Sequence, residues 1–138
     1  MKQSLRPGIS KVRRLIVDRD RTISFMSEEG RVYGTPEFIR DIEHLCRDLL
    51  LEHTDAGEDS VGIEVSIRHT AATPLGMDVE IAAKVTAVEG RKVTFEVSAK
   101  DEIDAIGMGS HNRFVVDVSK TFERLKAKAA KRASVRSS

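Results

Sequence analysis

The 138-residue chain has no tryptophan, one tyrosine, one cysteine and three prolines, and no apolar run nears the roughly 18 residues of a membrane-spanning helix. Each scarcity excludes something. Cys46 has no second cysteine for an internal disulfide and falls on the apolar face of a helix, so a buried thiol is expected, not a nucleophile or metal ligand. Aromatics make up 4% of residues and are not interleaved with the basic ones, so a stacking platform for bases is missing. There is no glycine-rich phosphate loop with its lysine and hydroxyl, and no serine nucleophile elbow. His53 and His111 lack partners at metal-ligand spacing; no metal and no resident cofactor are expected. The N-terminal segment holds only a three-residue apolar run, short of a secretory core, so a cytoplasmic location is expected.

Hydrophobic residues at 40% and charged residues at 33% fit a water-soluble globular protein. The length suits one domain over residues 1–125, followed by a basic, flexible tail over 126–138. The net charge of +1 hides an asymmetry: Met1 to Arg14 carries five basic and no acidic residues, and Ser119 to Ser138 carries seven basic residues against Glu123 alone. Basic ends on an acidic body suit either simple solvation or contact with phosphates of a coenzyme, carrier protein or nucleic acid, the last being least supported.

Lys11 to Asp18 reads as a first strand, with Thr22 to Phe25 extending it beyond a charged break, and Ser27 to Gly34 reads as a loop. Thr35-Pro36-Glu37 then has the form of a helix start, a hydroxyl cap followed by proline and an acid, with the helix running to about His53. On its wheel Phe38, Ile39, Ile42, Leu45, Cys46, Leu49 and Leu50 span an arc of roughly 140°. Glu43 lies about 20° beyond one rim, placed for partial desolvation. Downstream, Val61, Ile63, Val65 and Ile67 alternate, as do Val79 to Val85 and Val93 to Ala99, the last two sets joined by a tight turn at Glu89 to Arg91. Ile103 to Val118 is a further strand in which Gly107 and Gly109 mark bulges or a close approach. Strands, one long helix, then four strands predict an α+β hotdog fold, a long central helix packed on a curved antiparallel sheet. Its exposed sheet edges imply a homodimer or a dimer of dimers.

Thr35 and Glu43 sit eight residues apart on the helix, and His69 ends the alternating strand at the head of HTAATPLG. A hydroxyl, a carboxylate and an imidazole placed where helix and strand can face each other suit hydrolysis. Read singly, Thr35 is also a plain cap, Glu43 a rim glutamate and His69 a strand-end histidine.

HTAATPLG (His69 to Gly76), VEGRKVTFEVSAKD (Val88 to Asp101) and IGMGSHNRFVVDV (Ile106 to Val118) closely resemble the fluoroacetyl-CoA thioesterase family of hotdog enzymes, over about Thr35 to Val118. The resemblance implies hydrolysis of an acyl-CoA by a trio at the positions of Thr35, Glu43 and His69. It also implies substrate contacts at Gly62 and Arg113. Two departures limit it: the segment before the helix is shorter and has only Tyr33 where the family carries lid phenylalanines, and His44 stands where the family has a tryptophan. The resemblance thus implies the reaction type and a small acyl group, and not fluoroacetyl selectivity. Two other readings remain, a non-catalytic hotdog protein that binds acyl-CoA and a basic-tailed interaction module.

Overall fold

The computed structural model describes residues 1–137. Five strands form one antiparallel sheet in the order β1 (Ser10–Ile16), β5 (Asp78–Glu89), β6 (Lys92–Asp101), β7 (Ala105–Asp117), β4 (Glu58–His69). The helix α1 (Thr35–Leu51) covers one face, and β2 (Thr22–Ile23) pairs with β3 (Val32–Tyr33) as a separate ribbon beside its start. This is the expected hotdog architecture. The apolar stripe of α1, Phe38, Ile42, Leu45, Cys46, Leu49 and Leu50, is buried with Val79, Ile81, Ala83 and Val85 of β5 and Val93, Phe95 and Val97 of β6. Burial of one helix stripe on one sheet face supplies most of the driving force. The predicted β5–β6 hairpin forms, with Glu89 opposite Lys92 and Gly90 in the left-handed region at φ 63°.

Several expectations are corrected. Thr22 to Phe25 does not extend β1, because the Asp18 carboxylate accepts from the Arg21 amide and turns the chain into the ribbon. The segment read as a loop from Ser27 to Gly34 therefore contains β3. The alternation of Val61, Ile63, Val65 and Ile67 does not mark one face, since a bulge between Gly62 and Glu64 shifts the register. Val61 shares the outer face with Phe114, whereas Val65 and Ile67 lie on the helix side with His111 and Gly109. Gly107 and Gly109 are close approaches, and the β6–β7 register also shifts at Gly107, which opposes Ala99 while Ala105 opposes Lys100. A Cβ on Gly107 would sit 2.6 Å from the Phe38 ring, and one on Gly109 would sit 2.0 Å from the Ser66 carbonyl oxygen.

The two basic ends take different courses. Residues from Lys126 to Arg136 form the second half of α2 (Val118–Arg136), which begins with the Asp117 carboxylate accepting from the Lys120 amide and buries no residue. In the N-terminal segment, Arg13 pairs with Asp48 and Lys11 with Glu52, both acids lying on or just after α1, and Leu5 enters the core. Those cations are engaged within the fold. Among the described residues no helix is long and apolar enough to cross a membrane.

The carbonyl beside Gly109 cannot retreat without breaking β4–β7 pairing. Gly109→Ala is therefore expected to lower stability by about 2 kcal/mol or more, read as a reduced midpoint in urea unfolding.

Candidate active site

Thr35 is not the helix cap. Gly34 holds that position, with no side-chain cap bond, and Thr35 is the first helical residue followed by Pro36. Its hydroxyl is thereby free of capping and lies 2.8 Å from Nδ1 of His69, at the end of β4. The imidazole packs against Phe38, with ring centroids 4.9 Å apart, and its edge meets Tyr33 at 6.2 Å. Its Nε2 is buried without a hydrogen-bond partner. Burial holds the His69 pKa below the ordinary histidine value, favouring the neutral ring. With a proton on Nε2 the ring offers a donor, and in the other tautomer a lone pair; either form equips it to carry protons. Ile23, Val32, Tyr33, Thr35 and His69, with Thr70 to Ala72, line an open pocket of about 250 Å³.

The surroundings of this pair are held from outside. The Tyr33 hydroxyl donates to Asp41 of α1, and Arg21 donates to both oxygens of the same carboxylate at 2.9 and 3.1 Å. Burial first, and then the bond to Asp41, push the Tyr33 pKa up, so it remains a phenol. In the motif after His69, Thr73 is fully buried and donates to Asp101, and its carbonyl accepts from the Tyr33 amide. That threonine is structural.

Glu43 stands elsewhere on the same helix. Eight residues correspond to about 12 Å along the axis from Thr35, towards the start of β4. There the sheet face is polar: Gly62 of β4 pairs with Arg113 of β7, and His111 precedes Arg113 by one alternation. A Cβ placed on Gly62 would lie 3.1 Å from the His111 ring, 3.4 Å from Arg113 Nη1 and 3.4 Å from Glu43 Oε1. Glycine thus leaves a gap in which an acid, a guanidinium and an imidazole face one another. Arg113 is buried and donates from Nε to the Ser60 hydroxyl and from Nη2 to the Ser60 carbonyl. Burial lowers its pKa while the Glu43 charge opposes that shift. Cys46, one turn along, is buried, and burial pushes its thiol up to about 12, which leaves it protonated and inert.

Of the five residues predicted for the site, the chain thus joins Thr35 to His69 and Glu43 to Gly62 and Arg113, as two clusters along one side of the sheet. Sequence reasoning passed over His111 and Asp41. The period of two on β7, running Gly107, Gly109, His111, Arg113 along one face, points to the first. Asp41 lies at the rim of the helical stripe opposite Glu43. Among the described residues no three His, Cys, Asp or Glu side chains are grouped to hold a metal ion.

A single helix lying on an antiparallel sheet, with a Thr–His pair and a helix-borne carboxylate at its margin, defines a hotdog-fold protein of the thioesterase class. The chain belongs to the fluoroacetyl-CoA-specific thioesterase family, whose pattern it matches over residues 17–119. It is 30% identical over 135 residues to the fluoroacetyl-CoA thioesterase of Streptantibioticus cattleyicolor, covering 93% of this chain and 97% of that one. A crystal structure of a point mutant of the fluoroacetyl-CoA-specific thioesterase superposes with a TM-score of 0.84 at 30% identity, covering 92% of this chain and 99% of that one. The same mutant in complex with fluoroacetate and CoA gives 0.78 at 31% identity, over 85% and 99%. A Thermus thermophilus protein described as a thioesterase superfamily member gives 0.81 at 28% identity, over 94% and 96%.

The two buried histidines set a pH dependence. Both pKa values are lowered, chiefly by burial; at His111 the Glu64 carbonyl bond opposes the shift, Arg113 adds to it and Glu43 opposes it. As pH falls through about 6.5 the unfolded chain takes up these protons before the folded one, so the associated stability is complete above that value and lost below it. The melting temperature is expected to drop between pH 7.5 and pH 5, and to drop less in His69→Asn; a flat wild-type profile over that window would contradict neutral burial.

Proposed function

We propose that this protein hydrolyses an acyl-CoA thioester carrying a small acyl group to the free acid and coenzyme A. The observation that carries the reading is the Thr35–His69 bond beside a small pocket, with the unpartnered Nε2 of His69 ready for a proton. Thioester hydrolysis needs a nucleophile, a proton for the leaving thiolate, and donors at the carbonyl oxygen. Glu43 delivers the nucleophile, either its own oxygen or a water it deprotonates. His69, oriented by Thr35, relays to the departing sulfur the proton that the water gives up, so the imidazole begins and ends the cycle neutral. Gly62 and Arg113 face the reacting carbonyl and the Glu43 carboxylate.

These roles require the two clusters to meet, and the free edge of β4 offers the means. β4 ends the sheet, runs 12 residues, and leaves Val61, Ile63 and Val65 between 38 and 52% exposed. A long apolar edge is a template for pairing with a second copy. Antiparallel pairing of β4 with its equivalent about a two-fold axis reverses the strand, bringing the His69 end of one protomer towards the Gly62 end of the other. We infer a homodimer with two composite sites, each taking Thr35 and His69 from one protomer and Glu43, Gly62 and Arg113 from its partner. Acyl-CoA pools are cytoplasmic, and we place the enzyme there. The relative bound to fluoroacetate and CoA supports the substrate class, and the shallow pocket of about 250 Å³ beside His69, lined by Ile23, Val32 and Tyr33, is in keeping with a small acyl group.

Two measurements test this. Thiol release from a panel of acyl-CoAs is expected to favour short chains, and kcat to fall about 100-fold or more in Glu43→Gln and in His69→Ala. Coenzyme-dependent thermal stabilisation without thiol release would instead identify a binding protein. Mixing the two inactive variants, with subunit exchange, is expected to restore roughly a quarter of wild-type activity, because each mixed dimer regains one intact site. A site contained in one chain predicts no recovery, and a monomer near 15 kDa by light scattering removes the composite site altogether.

A further inference from the structure

His111 is buried under α1 between two partners that leave its ring no freedom. Nδ1 lies 2.8 Å from the Glu64 carbonyl oxygen, which only accepts, so Nδ1 carries the proton. Nε2 lies 3.2 Å from Nη1 of Arg113, which only donates, so Nε2 presents its lone pair. Phe95 stacks on the ring from β6 at 6.3 Å and 27°. The neutral Nδ1–H tautomer is thereby selected by hydrogen bonding on both sides.

The consequence falls on Arg113. Its Nε and Nη2 are committed to Ser60, and its Nη1 to His111. Nη1 and Glu43 Oε1 both lie 3.4 Å from the point where a Gly62 side chain would begin, so both groups border one gap, yet no ion pair joins them among the described residues. A guanidinium and a carboxylate that border one gap can close into a charge-assisted pair. Here the Nε2 lone pair competes for Nη1 and keeps the gap open.

We propose that His111 is a positioning residue: its Nε2 restrains the Arg113 guanidinium so that Glu43 keeps an uncommitted carboxylate oxygen facing the Gly62 gap. Without that restraint Arg113 swings onto Glu43, and the carboxylate becomes a weaker nucleophile and base. The effect on rate rests on the thioesterase reading; the restraint itself does not.

Three substitutions separate this from a purely structural role. His111→Phe keeps the stacking on Phe95 and removes both nitrogens. His111→Gln places an acceptor near the Nε2 position, and His111→Asn places its amide near the Nδ1 position, within reach of the Glu64 carbonyl. In His111→Phe, kcat is expected to fall about 100-fold with KM changed less than about threefold. His111→Gln is expected to return to within about tenfold of wild type, and His111→Asn to stay with the phenylalanine variant. Rescue by Asn and not by Gln would overturn the proposal, because the ring would then serve only to tie β4 to β7. If His111→Phe does not fold, as its melting curve will show, the Gln and Asn pair decides alone. A nitrogen-15 NMR spectrum of the wild-type ring reads the restraint without turnover. The Nδ1–H tautomer at pH 7 is expected, and an Nε2–H or doubly protonated ring overturns the proposal. An Nδ1–H ring in a protein that releases no thiol from any acyl-CoA would refute the thioesterase reading, and with it the role in rate, while leaving the restraint standing.

Discussion

The ring of Phe38 lies where β7 has no side chain, and the arrangement of the site depends on that contact. Gly107 leaves its position empty, the ring fills it, and the first turn of α1 settles directly onto the sheet beside the end of β4. Thr35, three residues before Phe38, is thereby brought within hydrogen-bond distance of His69, whose ring rests on the same phenylalanine. One aromatic side chain thus sets the depth of the helix and supports the imidazole. Close packing makes such a contact stiff, since a displaced ring would leave a void on one side and an overlap on the other.

Further along β7, the inward-facing positions change from glycine to His111 and Arg113, and the sheet face changes from apolar to polar. This change divides the site. Beside the glycines the helix presents Phe38; beside the polar pair it presents Glu43. Burying a guanidinium and an imidazole under a helix is tolerable because Ser60 and the Glu64 carbonyl satisfy them. The bulge after Gly62 contributes as well, turning Val61 to the outer face and leaving the inner face open above Glu43.

The fold was legible because its signals are periodic. The α1 stripe and the alternations of β5 and β6 each place many side chains on one face, and a hairpin turn joins two of the strands. What escaped was set by single contacts across long sequence separations. The bulge that splits Val61 from Val65 leaves the alternating pattern intact while reversing its meaning, and β3 is too short to carry a period of its own. Thr35 reads as a cap from its neighbours, and only the strand end brought beside it by the fold shows that its hydroxyl is used by His69. The spacing of Thr35 and Glu43 was visible, as was the position of His69, but not that one chain holds them apart. His111 and Asp41 look like ordinary polar residues until burial gives them partners.

Tyr33 has two duties that conflict under change. Its ring walls the pocket beside His69, while its hydroxyl anchors the ribbon to α1 through Asp41 and Arg21. Any replacement that reshapes that wall also strips a donor from a buried carboxylate. Ile23, Val32, Ala71 and Ala72 border the same space without sharing that hydrogen bond, so exchanges there reshape the pocket without that cost. The pocket tolerates change on one flank and resists it on the other.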